Sequence, residues 1–126
     1  MRLLLDTHAL LWFALDDPQL SATARAAIAD PTNAVLVSPA SYWEIAIKVS
    51  LGKLKADAME VRDAALEGGF VELPIRGPHA LHVGGLAWHH RDPFDRLLIA
   101  QAAAEPMRLL TADEQLLAYG GPVELV

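Results

Sequence analysis

Four acidic residues stand in unusual company along this chain. Asp6 directly follows the apolar run LLL, Glu44 lies inside SYWEIAIK, Asp95 in HRDPFDRLLIAQA and Asp113 just after RLLTA. Each has an ordinary structural use. Asp6 or Thr7 suits the N-cap of a following helix, and Thr111 or Asp113 does the same for DEQLLAY. Asp92 caps the helix opened by Pro93, which leaves Asp95 at the third helical position, where an acid complements the helix dipole. Glu44 either pairs with Lys48 one turn on or points into a polar cavity among bulky apolar neighbours. In combination the four acids point to something else. Carboxylates brought together repel and raise one another's pKa values, and such a cluster persists when cations neutralise it. Oxygen ligands without a thiolate select Mg²⁺ or Mn²⁺. The chemistry that follows is in-line hydrolysis of a phosphodiester, with metal activating water and stabilising the leaving oxygen.

That reading requires elements that bring distant positions together. Leu3–Leu5 reads as a short buried strand and His8–Leu15 as a helix stopped by Pro18. Ser21 caps a second helix that Pro31 closes, and Ala34–Val37 is the second strand. A helix within Ser38–Leu51 ends at Gly52 in the left-handed conformation. Ala56–Glu67 is helical up to Gly68–Gly69, and Phe70–Pro74 is the third strand. A short helix covers His79–Val83, whereas Gly84–Arg91 carries no clear pattern. Pro93 starts a long helix to Glu105; Arg108–Thr111 is the fourth strand, Asp113–Ala118 a short helix and Val123–Val126 the last strand. Strands without alternation, separated by helices, indicate a parallel sheet with helices on both faces. Ligands of such folds gather beyond the carboxyl ends of the strands, and Asp6, Ser38 and Thr111 all fall there.

Composition narrows the field. The 126 residues fit a single domain with one real core, and 53% hydrophobic content argues against disorder. Without cysteine there is no disulfide and no thiolate metal site. Apolar runs too short for a bilayer and a start unlike a signal peptide make a cytoplasmic protein, away from membranes, the expectation. A net charge of −6 disfavours a generic nucleic-acid binder. Basic residues do gather at Lys48, Lys53, Lys55 and Arg62, and Arg91 and Arg96 flank Asp92 and Asp95. In a dimer these would align into an RNA-guiding rim; individually they suit solvated helix faces. His8, His89 and His90 lie near the same segments in no zinc-like spacing, and Trp12 and Trp43 read as core or interface packing, with Trp88 undecided.

LLLDTHALLW, SYWEIAIKVSLGKL, HRDPFDRLLIAQA and LLTAD, in this order and spacing, resemble the PIN-domain ribonucleases and, more narrowly, the VapC-type toxins of bacterial type II toxin–antitoxin pairs. The resemblance runs from Leu3 to about Tyr119 and implies a three-layer α/β/α fold around a central parallel sheet of about five strands. It maps the family's acidic quartet onto Asp6, Glu44, Asp95 and Asp113 as metal ligands and catalytic residues, with Thr7 and Thr111 at hydroxyl positions nearby and Asp92, Lys48 and Arg96 in support. It further implies a Mg²⁺- or Mn²⁺-dependent endoribonuclease that cuts structured RNA of the tRNA or rRNA class and so inhibits translation. A homodimer and neutralisation by a VapB-type antitoxin are implied in the same way. The alternative is a catalytically silent PIN-like module that binds RNA or protein. Two rivals fail on position: a haloacid dehalogenase-type enzyme needs a second aspartate where His8 stands, and a receiver domain needs a phosphoacceptor where Pro74–Ile75 follow the third strand.

Overall fold

Residues that alternate along the short apolar strands face opposite ways, and two cores result. In the computed structural model, which describes residues 1–125, Leu3, Leu5, Val35, Val37 and Leu110 pack into one core. Leu4, Leu36 and Leu109 pack into the other. Both faces of the central strands are therefore dry, which is why they read as unbroken apolar runs.

The strands are β1 (Arg2–Leu5), β2 (Ala34–Val37), β3 (Val71–Glu72), β4 (Arg108–Thr111) and β5 (Val123–Leu125). All pair in parallel, in the order β3-β2-β1-β4-β5. Between them run α1 (Thr7–Ala14), α2 (Ala22–Ala29), α3 (Pro39–Ser50), α4 (Ala58–Glu67), α5 (Gly77–Val83) and α6 (Pro93–Ala104), with a 3₁₀ turn over Glu114–Tyr119. Leu10, Ile28, Ile45 and Val61 bring α1 to α4 onto the first face, while Leu98, Ile99 and Ala102 of α6 cover the second. This is the expected three-layer α/β/α arrangement. Among the described residues no helix is long and apolar enough to cross a membrane.

Caps set the helix starts. The side chains of Asp6, Ser21, Ser38, Asp57, Asp92 and Asp113 each accept a backbone N–H of the turn that follows. Consequently α4 opens at Ala58 rather than Ala56, because Asp57 caps it. Gly52 takes a φ of 71° past the end of α3, as expected of that glycine. The third strand is shorter than its apolar run, with only Val71–Glu72 in the ladder. α5 begins at Gly77, two positions before the sequence pattern, because His79 turns inward as part of its first turn. Its Nδ1 accepts the Arg76 N–H at 3.0 Å and its Nε2 lies 2.7 Å from Glu105 Oε2, tying α5 to the end of α6. The last strand is seen through Leu125; Val126 lies outside the described residues.

Candidate metal centre

The parallel register brings the carboxyl ends of β1 and β4 side by side, with Leu5 opposite Leu110. Asp6 and Thr111 are therefore neighbours although far apart in sequence. The buried Asp6 carboxylate accepts three hydrogen bonds from its own chain. Oδ1 accepts the Ala9 N–H at 2.7 Å; Oδ2 accepts the Thr111 hydroxyl at 2.7 Å and the Ala112 N–H at 3.0 Å. Asp6 is thus the cap of α1, one of its two expected uses, at the strand end where β1 meets β4. Burial still outweighs these bonds and pushes its carboxyl above the usual carboxylate range.

Glu44, on the inner side of α3, is buried as well. The Thr7 hydroxyl donates to Oε1 at 2.7 Å and Lys48 Nζ sits 2.9 Å from Oε2. Of the two options for this glutamate, the pair with Lys48 is formed, and Thr7 is its second partner. The bond to Glu44, together with the charges of Asp92 and Asp95, raises the Lys48 pKa.

Asp95 differs from the other three. Among the described residues no hydrogen bond to its carboxylate is formed, and His90 Nε2 lies 3.3 Å from Oδ2. Asp92 Oδ1 takes the N–H groups of Phe94 and Asp95, as a cap should, and leaves the Asp95 side chain free to face the rim. Burial, then the charges of Asp92, Asp6 and Glu44, push the Asp95 carboxyl up to about 7, with His90 pulling the other way. Asp113 closes the group. Its Oδ1 caps the 3₁₀ turn through Gln115 N, and its Oδ2 lies 2.9 Å from His90 Nε2. One ligand atom each of His90, Asp95 and Asp113 falls within 4.8 Å of the others.

An oxygen-rich cluster at the carboxyl rim of a parallel sheet of this order is one observation; the likeness of the whole chain is another. Residues 3–122 match the family model of the PIN domain. The chain belongs to the PIN-domain family.

Solved structures similar to this PIN domain include a chain of VapBC2 from Rickettsia felis bound to a DNA fragment from its promoter. The two are 18% identical, with a TM-score of 0.77, over 100% of this chain and 99% of that one. VapBC-1 from nontypeable Haemophilus influenzae gives 18% identity and a TM-score of 0.67 over 100% and 97%. VapBC-5 from Mycobacterium tuberculosis gives 21% and 0.60 over 99% and 97%. At such identities the likeness is one of fold. No curated protein matches the chain.

Within the PIN domain the supporting residues divide. Thr7 and Thr111 are donors to Glu44 and Asp6, and Thr111 Oγ1 also accepts the Asp113 N–H at 3.0 Å. Arg96 is not on an RNA-facing rim. It is 3% exposed, and its guanidinium is spent on the carbonyls of Val83, Ala87 and His90 and on the Tyr119 hydroxyl. The reason is the loop before α6, whose carbonyls lack strand or helix partners and take a buried fork of donors instead. Arg62 is held by Glu72 at 2.7 Å, while Arg91, Lys53 and Lys55 are exposed.

Of the tryptophans, Trp12 packs partly buried against the first core, one of the two uses expected of it. Trp43 is exposed and meets the Phe94 ring edge-on at 5.1 Å; Trp88 lies open to solvent beneath the Arg96 guanidinium, 3.8 Å away. Of the histidines, His8 lies tilted beside Trp12 and His89 meets the Tyr119 ring edge-on. His90 enters the site itself, although its spacing carries no ligand signature. The one available signal was its place directly before a capped acidic helix start.

Proposed function

We propose that this PIN domain is a divalent-metal-dependent endoribonuclease of the VapC toxin type, a single domain acting in the cytoplasm. The observation that carries the reading is Asp95: a half-buried carboxylate without a donor, pushed up to about 7 by Asp92, Asp6 and Glu44, with Asp113 close by. A chain does not gather such charge without something to neutralise it.

The donor set fits a hard cation. Asp6, Glu44, Asp95 and Asp113 offer oxygen, which suits Mg²⁺ or Mn²⁺. When bound, such an ion lowers the pKa of a water and stabilises charge on the phosphodiester oxygens. The protein's own residues do the rest. Thr111 and Ala112 fix the rotamer of Asp6, and Thr7 and Lys48 fix Glu44. Asp95 is the least committed to its own chain, and Asp113 is held by the Gln115 N–H and His90. Lys48 and the exposed Lys53, Lys55 and Arg91 supply the positive charge that an acidic enzyme needs to attract RNA, more effectively when two copies pair. Structured RNA of the tRNA or rRNA class, with translation as the process stopped, is the substrate we propose. The partner is a VapB-type antitoxin, in keeping with neighbours that were solved as toxin–antitoxin complexes.

The test is cleavage of total cellular RNA by the purified chain in Mg²⁺ or Mn²⁺. EDTA and an identically purified Asp6→Asn variant serve as controls. Discrete fragments that need metal and disappear with the variant are expected. Equal cutting by the variant would sink the reading; retained RNA binding without any cutting would favour the silent module instead.

A further inference from the structure

His90 presents Nε2 between two of the carboxylates, 2.9 Å from Asp113 Oδ2 and 3.3 Å from Asp95 Oδ2, where a metal ligand would stand. Its other nitrogen decides what it is. A histidine that binds metal through one ring nitrogen keeps its proton on the other and donates it to a carbonyl, carboxylate or water. Here Nδ1 faces donors: the Arg91 N–H lies 2.9 Å away and the Asp92 N–H 3.2 Å. Both need its lone pair. The ring proton of neutral His90 therefore sits on Nε2 and points at the acids. Ligation through Nε2 would move that proton to Nδ1, against two backbone N–H groups, and break both bonds next to the cap of α6.

The rest of the loop keeps the ring there. The His90 N–H donates to the Tyr119 hydroxyl at 3.2 Å, which itself donates to the Ala87 carbonyl at 2.8 Å. Arg96 Nη1 reaches that hydroxyl at 3.1 Å and the same carbonyl at 2.9 Å. Tyr119 thus uses its one proton and both lone pairs. His79 shows the same arrangement away from the acidic rim, with Nδ1 accepting a backbone N–H and Nε2 on a carboxylate. In this fold the pattern serves hydrogen bonding.

We propose that His90 is a positioning residue of the acidic site: a fixed Nε2–H donor that holds Asp113 beside Asp95 and stays outside the metal's coordination shell. The cation is then bound by oxygen alone, and Tyr119 and Arg96 act on the site only through His90. The proposal rests on the metal-dependent reading of the cluster.

Nitrogen-15 NMR on the metal-free chain reads the tautomer directly. A protonated Nε2 and bare Nδ1 at His90 are expected, and a proton on Nδ1 would overturn the proposal. Pulsed EPR of the Mn²⁺-loaded chain should show no directly bound imidazole nitrogen; a strong nitrogen coupling that vanishes in His90→Gln would also overturn it. Mn²⁺ titrations complete the set. His90→Gln, whose amide N–H can replace Nε2–H, should keep affinity within about threefold, while His90→Ala should lose about tenfold or more, the usual cost of an outer-shell partner. Equal losses in both would refute the donor role. Absence of Mn²⁺ binding by the wild type would instead remove the metal reading, and the NMR result would still judge His90.

Discussion

Asp95 is the residue whose charge state matters most. An aspartate in an unfolded chain titrates near 3.9, whereas burial and three acidic neighbours hold this one at about 7. Between those values the folded state keeps a proton that the unfolded state releases. The stability contributed by Asp95 in the metal-free chain is therefore full below about pH 4 and is lost as the pH rises through about 7. Asp6, raised in the same direction, adds to the slope. Thermal melts in EDTA should show the midpoint falling from pH 5 to pH 7.5, and Asp95→Asn should flatten that fall. A midpoint that rises over this range would contradict the electrostatics derived for the rim. Thr111 makes a second test. It donates to Asp6 and accepts from Asp113 while fully buried. Thr111→Val keeps the shape and leaves both partners short, so urea unfolding should report a loss of about 1–3 kcal/mol.

The elements that carry these residues were largely legible. LLL, AVLV and RLLT announce buried strands because both faces are covered, and Ser38, Asp92 and Asp113 announce helix starts because their side chains reach the backbone two or three residues on. The helix starts that Asp6, Asp92 and Asp113 cap were legible for the same reason, while Glu44 lies within α3. The segment 84–91 was not. Its order comes from Arg96, which reads in sequence as one charge on an otherwise apolar helix and folds inward to collect loop carbonyls. No periodicity encodes a side chain that bonds to irregular backbone. His90 was passed over because its partners, Asp113 and Tyr119, lie more than twenty positions away. Arg96→Lys tests the clamp: one ammonium cannot replace the fork. Hydrogen exchange should rise across 84–91 with the sheet unchanged, and stability should drop by about 2 kcal/mol. Protection unchanged in that loop would show that other contacts order it.

For the molecule as a whole, the acidic rim opposes the two cores, and a divalent cation should relieve that opposition. A ligand that binds only the folded state adds roughly 2.7 kcal/mol at a hundred times its dissociation constant. Saturating Mn²⁺ at pH 7.5 should raise the melting midpoint of the wild type by several degrees. Asp95→Asn should gain much less, and equal gains would place the ion elsewhere.

The pairing of β1 with β4 also governs when any of this exists. Asp6 is made early, but the hydroxyl that holds it belongs to Thr111, 105 residues later, and β1 has no neighbour on that side until Arg108–Thr111 are available. At roughly 5–20 residues per second, the first acid waits several seconds or more for its partner. A nascent chain paused anywhere before Asp113 contains most of the fold's helices and none of its completed rim. Asp113, the last of the four acids to be translated, follows the strand whose pairing with β1 brings Thr111 to Asp6.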